Sequence, residues 1–222
     1  MKKKPVTHVA LILDRSGSMD DIKKEAIGAF NDQLKAVQRA VLDDGVENYV
    51  TLVTFATMVD EPHFFDVEAK KVPQLTEENY TPEGGTAILD AMASTIKKLE
   101  ELEDANEDHV SFLVCTITDG DENSSQEYSK YKGGAKKISD MRERLEATNR
   151  WTFVYLCANS DPTKIQETLG LSGGNVRSFV SSKQGTEAAS LLNSASTSSY
   201  FKGRSKGMTS TPTFYAEGEK NL

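Results

Sequence analysis

The chain has 222 residues, of which 37% are hydrophobic and 27% are charged, a composition typical of a soluble globular protein with one well-buried domain. Its formal net charge of -8 disfavours nucleic acid, whose phosphates would be repelled, and favours cations or basic partners. No apolar run approaches the roughly 20 residues that span a bilayer, which excludes a membrane-spanning protein.

The N-terminus and the cysteines bear on location. Residues 1–5 are basic, but the short apolar stretch after them ends at Asp14 and offers no cleavage region, so we expect no export signal. Cys115 and Cys157 lie in apolar segments and lack the paired spacing of a zinc site or a disulfide framework. The sequence therefore predicts a cytoplasmic protein whose cysteines are small core residues.

The first part of the chain predicts a strand, a long helix and a hairpin. Residues 7–14 form a nearly continuous apolar run that ends in a carboxylate, as expected of a central strand covered on both faces. Apolar residues then recur every three or four positions between residues 22 and 41, which predicts a helix packed on the sheet. Residues 48–59 and 63–67 are β-like runs around a turn, and we expect an edge hairpin.

The second part predicts alternating helices and strands. A loop at residues 73–86 leads into helical spacing from Ile88 to Leu99. Apolar runs at residues 110–118, 151–157 and, more weakly, 176–180 predict further strands with helical stretches between them. This alternation predicts an open, doubly wound, Rossmann-like α/β domain with a mostly parallel sheet, helices on both faces and right-handed crossovers.

The composition changes at about Ser194, and we divide the chain there into a domain of residues 1–193 and a C-terminal tail of residues 194–222. The tail is rich in Ser, Thr and Gly and low in core-forming residues, which predicts a segment that is mobile or draped over the surface. Two aromatic pairs interrupt it, Tyr200 with Phe201 and Phe214 with Tyr215. They could anchor the tail to the domain or to a partner.

Three segments place oxygen-bearing side chains at the ends of predicted elements. They are Asp14 to Ser18 after the first strand, Gly84-Gly85-Thr86 before a helix, and Asp119-Gly120-Asp121 after the central apolar run. In an open parallel sheet, the loops at the carboxyl ends of the strands line the crevice where ligands bind. We therefore expect five side chains to meet at one edge: Asp14, Ser16, Ser18, Thr86 and Asp119.

These donors favour a hard divalent cation. Two carboxylates and three hydroxyls, with no sulfur and no imidazole, suit Mg2+ or Mn2+ better than zinc or copper, and we rank Ca2+ behind both. Hydroxyls bound directly, with carboxylates acting partly through water, would leave the ion short of anionic ligands. A carboxylate from another molecule could complete the coordination.

Together the three motifs resemble the metal-ion-dependent adhesion site (MIDAS) of von Willebrand factor A domains. The pattern Asp-x-Ser-x-Ser follows the first strand, Gly-Gly-Thr precedes a helix and Thr-Asp-Gly follows the central strand. The resemblance extends over about residues 6–180. It implies that Ser16, Ser18 and Thr86 bind the cation directly, and that Asp14 and Asp119 bind it directly or through water.

The same resemblance implies an architecture and a function. The sheet would have the order 3-2-1-4-5-6, with the hairpin supplying the antiparallel edge strand. The protein would be a binding module, not an enzyme, and its cation would grasp an acidic side chain of a protein partner.

Other interpretations of these residues stay open. Ser16, Ser18 and Thr86 could cap helices, and Asp119 could be a turn residue. A Mg2+-dependent hydrolase is the enzyme alternative, with Asp14 as a phosphoryl acceptor, although Ser16 stands where such a site would want its second carboxylate. A structural assembly protein with a stabilising cation is the third interpretation.

Residues next to the proposed ligands also bear on the site. We expect Arg15 to be a surface residue that varies freely, and Asp121 and Glu122 to add negative field near the ion. Residues 119–130 do not match a calcium-binding helix-loop-helix loop, because Ser124 stands in place of its glycine and Lys130 in place of its bidentate glutamate.

Overall fold

The computed structural model describes residues 3–119, 121–158, 161–169, 171–180 and 182–220. The strands are β1 (Val6–Asp14), β2 (Glu47–Phe55), β3 (Phe64–Glu68), β4 (Val110–Thr118), β5 (Trp151–Ala158) and β6 (Val176–Phe179). The α-helices are α1 (Lys23–Asp43), α2 (Ile88–Glu100), α3 (Gly134–Glu146), α4 (Pro162–Leu169), α5 (Lys183–Ser205) and α6 (Phe214–Glu219). None of the described helices has the length and apolar character needed to cross a membrane.

These strands form one sheet in the order β3-β2-β1-β4-β5-β6, which confirms the predicted fold class and strand order. β1 pairs in parallel with β2 on one side and β4 on the other, and β5 and β6 continue the parallel sheet. Only the hairpin strand β3 is antiparallel among the described strands. The strand order reverses between β1 and β4, so the loops after these two strands flank a crevice at the carboxyl edge.

The sheet separates two hydrophobic cores. One face packs against α1, α5 and α6, and its core includes Leu11 and Phe30. The other packs against α2, α3 and α4, and its core includes Ile12 and Met92. Successive residues of β1 face opposite cores, as the two-residue period of a strand requires, and every residue of β1 is buried.

The C-terminal region differs from the predicted tail. Position 194 lies inside α5, a helix of 23 residues, and α6 follows it. The four aromatic side chains of this region are at most 2% exposed: Tyr200, Phe201, Phe214 and Tyr215. They anchor the segment to the sheet, so residues 194–220 pack as part of the domain.

Small side chains explain how a segment poor in large apolar residues can pack. A Cβ at Gly218 would lie 2.0 Å from Ser196 Oγ, so α6 approaches α5 more closely than a larger residue would allow. Ser190 and Ser194 donate to Asp32 of α1. Serine therefore supplies helix-to-helix hydrogen bonds here, although its abundance suggested a mobile tail.

Arg204 joins the end of α5 to the amino-terminal edge of the sheet. Its side chain is buried and its guanidinium donates to four neutral oxygens at 2.6–3.1 Å. The acceptors are Thr7 Oγ1 and the backbone oxygens of Val6, His109 and Met208. Burial without a carboxylate is costly for a cation, and these acceptors offset that cost.

His8 lies at the same edge, in a row of stacked aromatic rings. Its ring centroid is 5.5 Å from that of Tyr49 and 5.3 Å from that of Phe112. Its Nδ1 is 2.6 Å from Asp66 Oδ1, and its Nε2 is 3.1 Å from Asp104 Oδ1. Burial lowers the pKa of His8, but the two carboxylates outweigh burial and raise it above the usual 6.5.

Candidate metal centre

Three loops meet at the carboxyl edge of the sheet. Because β1 and β4 are adjacent and parallel, the residues after Asp14 lie next to those after Thr118. Gly17 donates its N–H to the backbone oxygen of Gly84 at 3.0 Å, which brings the loop before α2 to the same place. The fold thus gathers all three of the predicted motifs.

Ser16, Ser18 and Asp119 form a chain of oxygen atoms across these loops. Ser16 Oγ is 3.2 Å from Ser18 Oγ, and Ser18 Oγ donates to Asp119 Oδ1 at 2.8 Å. Oxygens that surround Mg2+ octahedrally at about 2.1 Å lie about 3.0 Å apart along each edge of the octahedron. The observed spacings therefore fit neighbouring positions around one cation.

Asp14 supports this chain from inside the protein. It is 0% exposed, its Oδ1 accepts the Ser16 N–H at 2.6 Å, and its Oδ2 accepts the Thr118 hydroxyl at 2.5 Å. The Tyr80 hydroxyl donates to the Asp14 backbone oxygen at 2.5 Å. Each carboxylate oxygen therefore accepts a hydrogen bond from inside the protein, which fixes the orientation of the Asp14 side chain.

Thr86 is held at the start of α2 by the loop that follows Asp119. Its N–H donates to Asn123 Oδ1 at 2.9 Å, and its backbone oxygen accepts the N–H groups of Asn123 at 3.0 Å and Ser124 at 3.1 Å. The side chain is 3% exposed. Thr86 is therefore held in place by Asn123 and Ser124, which come a few residues after Asp119 in the chain.

Helix capping does not explain these hydroxyls. The N-cap of α2 is Ala87, which makes no side-chain cap. Ser16 stands at the N-cap of the short 3-10 helix Gly17–Ile22, but its side chain makes no cap hydrogen bond there. The Ser16 hydroxyl instead lies beside that of Ser18.

The first turn of α2 is capped from the loop after β4. Glu122 Oε2 accepts the Leu89 N–H at 3.1 Å, and Ser125 Oγ accepts the Asp90 N–H at 3.1 Å. In return, Asp90 accepts the Tyr128 N–H at 2.7 Å. The Glu122 carboxylate thus binds a helix N-terminus, a role that the sequence analysis did not predict, and its expected contribution to the negative field near the ion stays a prediction.

Two glycines allow this close approach. Gly84 has a φ of 65°, in the left-handed region that favours glycine. A Cβ at Gly85 would lie 2.3 Å from Ser124 Oγ and 2.7 Å from Asn123 Oδ1. The Gly-Gly-Thr motif is therefore the segment that lets the loop before α2 touch the loop after β4.

The carboxylates of Asp14 and Asp119 are both desolvated by burial. Burial raises the pKa of Asp14 to about 6, although hydrogen bonds from Thr118 and Ser16 oppose the rise. Burial also raises the pKa of Asp119, against the hydrogen bond from Ser18. A desolvated carboxylate disfavours its charged form, and a bound divalent cation would reverse that preference.

Arg15 is partly buried and held by ion pairs, whereas the sequence suggested an unengaged surface residue. Its side chain is 18% exposed. Its Nε and Nη2 donate to the two oxygens of Asp60 at 2.5 and 2.6 Å, and its Nη1 donates to Glu83 at 2.8 Å. Within the described residues, no Lys or Arg forms an ion pair with Asp14 or Asp119.

Sequence reasoning missed several residues that hold the site in place. Asp90, in the first turn of α2, carried a local signal, because an acidic residue there often bonds backbone N–H groups. Tyr80 and Asn123 had no such signal, since their partners lie far away in the chain. Among the described residues, no group of three or more His, Cys, Asp or Glu side chains could hold a metal ion.

Neither protein-family models nor curated protein sequences match this chain, whereas solved structures do. The pilus adhesin SpaC from Lactobacillus rhamnosus GG, in its open conformation, aligns with a TM-score of 0.65 and 14% identity over 90% of this chain. Proximal thread matrix protein 1 from the mussel byssus, with a zinc-occupied MIDAS motif, aligns with a TM-score of 0.52 and 16% identity over 84%. Manganese-loaded Plasmodium vivax TRAP protein gives 0.50 and 14% over 78%.

The aligned regions cover 31% of SpaC, 46% of the byssus protein and 68% of the TRAP protein. This chain therefore corresponds to one part of the larger structures that it resembles. At these identities the likeness shows the fold alone, and that fold is von Willebrand factor A-like.

Proposed function

We propose that this protein is a divalent-cation-dependent binding module whose cation grasps a carboxylate of a protein partner. Ser16, Ser18 and Thr86 would bind the cation directly, and Asp14 and Asp119 would bind it directly or through water. The observation that carries the proposal is the chain of oxygen atoms from Ser16 through Ser18 to Asp119. The buried Asp14 carboxylate supports this chain, and neither aspartate forms an ion pair with a described Lys or Arg.

Mg2+ or Mn2+ fits this site better than Ca2+. The oxygen spacings suit a small octahedral ion, whereas Ca2+ takes six to eight oxygens at longer distances. The byssus protein with zinc in its MIDAS motif and the manganese-loaded TRAP protein support a divalent cation on this fold. The hard oxygen donors favour Mg2+ or Mn2+ over zinc or copper and suit both of these ions.

A carboxylate is the ligand that the charges favour. Three of the proposed ligands are neutral hydroxyls, and the Asp14 carboxylate is already engaged by Ser16 and Thr118, so the cation would keep much of its charge. The net charge of -8 opposes nucleic acid as a partner. SpaC is a pilus adhesin, which supports a binding role for a domain of this fold, and the cytoplasmic location stays a prediction from sequence.

The hydrolase alternative fits the geometry less well, and we propose a non-enzymatic module. A phosphoryl acceptor must expose an oxygen to the phosphorus atom, but Asp14 is 0% exposed and both of its oxygens accept hydrogen bonds. Ser16 cannot supply the second carboxylate. Turnover of p-nitrophenyl phosphate with Mn2+, lost in Asp14→Ala, would contradict this proposal.

The direct test is calorimetric titration of Mg2+, Mn2+ and Ca2+ into protein stripped of metal with EDTA. We expect saturable binding at one site in the parent and none in Asp14→Ala. Asp108→Asn is the matched control, because Asp108 is an exposed carboxylate just before the amino-terminal end of β4, at the edge of the sheet opposite the proposed site. No binding by folded parent, or equal binding by Asp14→Ala, would overturn the assignment.

A second experiment tests the partner chemistry and separates binding from assembly. A random peptide library is selected on the immobilised domain with Mn2+ and again with EDTA. We expect peptides retained only with Mn2+ to share an Asp or Glu, and to lose binding when it becomes Asn or Gln. If Mn2+ stabilises the fold but retains no acidic peptide, the structural assembly interpretation is favoured.

A further inference from the structure

Arg15 lies at the junction of three segments at the carboxyl edge. It follows Asp14 directly, and its N–H donates to the Phe55 backbone oxygen at 2.8 Å, while its own backbone oxygen accepts the Glu83 N–H at 2.7 Å. Its guanidinium then bonds Asp60 and Glu83. Backbone and side chain together join the loop after β1, the β2–β3 hairpin and the loop before α2.

The carboxylate that faces Arg15 is itself held in place. Asp60 accepts the Thr54 hydroxyl at 2.6 Å and donates its N–H to the Thr54 backbone oxygen at 3.0 Å. Its two oxygens meet the guanidinium in the bidentate arrangement that gives arginine its geometric specificity. The orientation of Arg15 is therefore set by β2, which is part of the sheet.

The hairpin also supports the segment that leads to Thr86. Thr57 Oγ1 accepts the Gly85 N–H at 2.9 Å, and the Ala56 backbone oxygen accepts the Ala87 N–H at 2.8 Å. Thr86 thus lies between two residues that are hydrogen-bonded to the hairpin. Arg15 is hydrogen-bonded to the same hairpin, through Phe55 and Asp60.

We propose that Arg15 is a positioning residue that strengthens cation binding, although it carries a positive charge next to a proposed ligand. It does so by holding the loop of Ser16 and Ser18 and the loop of Thr86 at a fixed separation. This inference rests on the proposed function, since it concerns the affinity of the same site.

Charge and positioning predict opposite effects when Arg15 is neutralised. If charge dominates, Arg15→Gln removes repulsion and the cation binds more tightly. If positioning dominates, the loops lose their clamp and the cation binds less tightly. Loss of groups that orient metal ligands typically costs about tenfold to 100-fold in metal affinity, and we expect a loss in this range.

The test measures Mn2+ affinity by calorimetry for the parent, Arg15→Gln, Arg15→Lys and Lys24→Gln, with Asp14→Ala as the non-binding reference. Lys24→Gln is the matched control, because Lys24 is an exposed cation in the first turn of α1, close behind the same loop. Circular dichroism in EDTA verifies that each protein is folded at the temperature of titration.

We expect Arg15→Gln to bind Mn2+ about tenfold or more weakly, Lys24→Gln to bind it no more weakly than the parent, and Arg15→Lys to lie between. Lysine keeps the charge but cannot form the bidentate pair with Asp60. If Arg15→Gln does not fold, the comparison of Arg15→Lys with the parent decides, and equal affinities overturn the inference.

The possible failures are distinguishable. Equal or tighter Mn2+ binding by Arg15→Gln, with binding lost in Asp14→Ala, overturns the role of Arg15 and leaves the metal site standing. Absence of Mn2+ binding in the parent overturns the proposed function, and the inference with it.

Discussion

Buried charged groups have different partners at the two edges of the sheet. At the amino-terminal edge, His8 lies between Asp66 and Asp104, and Arg204 donates to four neutral oxygens. At the carboxyl edge, Asp14 accepts hydrogen bonds only from neutral groups among the contacts described above. The first edge pairs or surrounds its own cations, whereas at the second edge Asp14 and Asp119 form no ion pair with any Lys or Arg in the described part of the chain, and Arg15 pairs with Asp60 and Glu83 instead.

This difference separates stability from binding. Polar groups that are satisfied within the fold stabilise it and leave little for a ligand to add. The carboxyl edge is the opposite case, because its desolvated oxygens lie together without a cationic partner among the described residues. A cation that binds there would be attracted by each of these oxygens. Changes at the amino-terminal edge should therefore alter the free energy of unfolding, and changes at the carboxyl edge should alter ligand affinity.

The largest expected effect is a loss of stability in Arg204→Met. This change removes four hydrogen bonds made by one buried side chain, so we expect the free energy of unfolding to fall by about 3 kcal/mol or more. Urea unfolding in EDTA measures it, with the exposed Lys206→Met as control. If Arg204→Met instead bound Mn2+ much more weakly and kept its free energy of unfolding, the proposed division between a stabilising edge and a binding edge would be wrong.

The cation itself should stabilise the folded protein. If it binds only the folded state, Mn2+ at 100 times its Kd raises the free energy of unfolding by about 2.7 kcal/mol. Thermal unfolding with and without Mn2+ measures this shift, and Asp119→Asn should not show it. An equal shift in Asp119→Asn would mean that Mn2+ acts elsewhere on the protein.

Removal of one proposed ligand should produce a smaller change that is confined to affinity. We expect Thr86→Ala to weaken Mn2+ binding by about tenfold, equivalent to about 1.4 kcal/mol, and to leave the unfolding curve in EDTA nearly unchanged. Thr86→Ser keeps the hydroxyl and should bind nearly as well as the parent. Equal losses in both variants would point to packing of the Thr86 methyl group instead of ligation.

The smallest expected effect is a pH dependence at the amino-terminal edge. Because the folded pKa of His8 is raised above 6.5, its contribution to stability is fully present below pH 6.5 and is lost as the pH rises through the folded pKa. Urea unfolding in EDTA at several pH values should show a fall above pH 6.5 that is absent from His8→Gln.

The difference between the parent and His8→Gln isolates this effect. Asp14, whose pKa burial raises to about 6, titrates in both proteins and cancels from the difference. His109→Gln is the control for losing a less buried histidine at the same edge. Parallel pH profiles for the parent and His8→Gln would show that the paired carboxylates do not stabilise the imidazolium.

The candidate site could be located from local sequence because each of its motifs sits at the end of a regular element. Asp14 and Asp119 end apolar runs, and Thr86 precedes a helical pattern, so a parallel sheet must bring them to one edge. Arg15 could not be understood in the same way. Its partners, Asp60 and Glu83, come from two other loops, and local spacing does not encode such contacts.

The C-terminal region shows the same limit. Its serine-rich composition resembles that of a linker, and only the aromatic pairs suggested attachment. Whether Ser190 and Ser194 face water or the neighbouring helix depends on how α5 packs against α1. Composition reports the average chemistry of a segment, and packing decides which of its atoms meet.

The sequence by itself determined the α/β class and the strands of the sheet, and it predicted the oxygen donors of the candidate centre, because periodicity and strand ends are local properties of the chain. Only the tertiary structure decided that Arg15 pairs with Asp60 and Glu83, that Glu122 caps a helix and that the last helices belong to the domain. Those outcomes depend on contacts between distant residues, and such contacts exist only after the chain has folded.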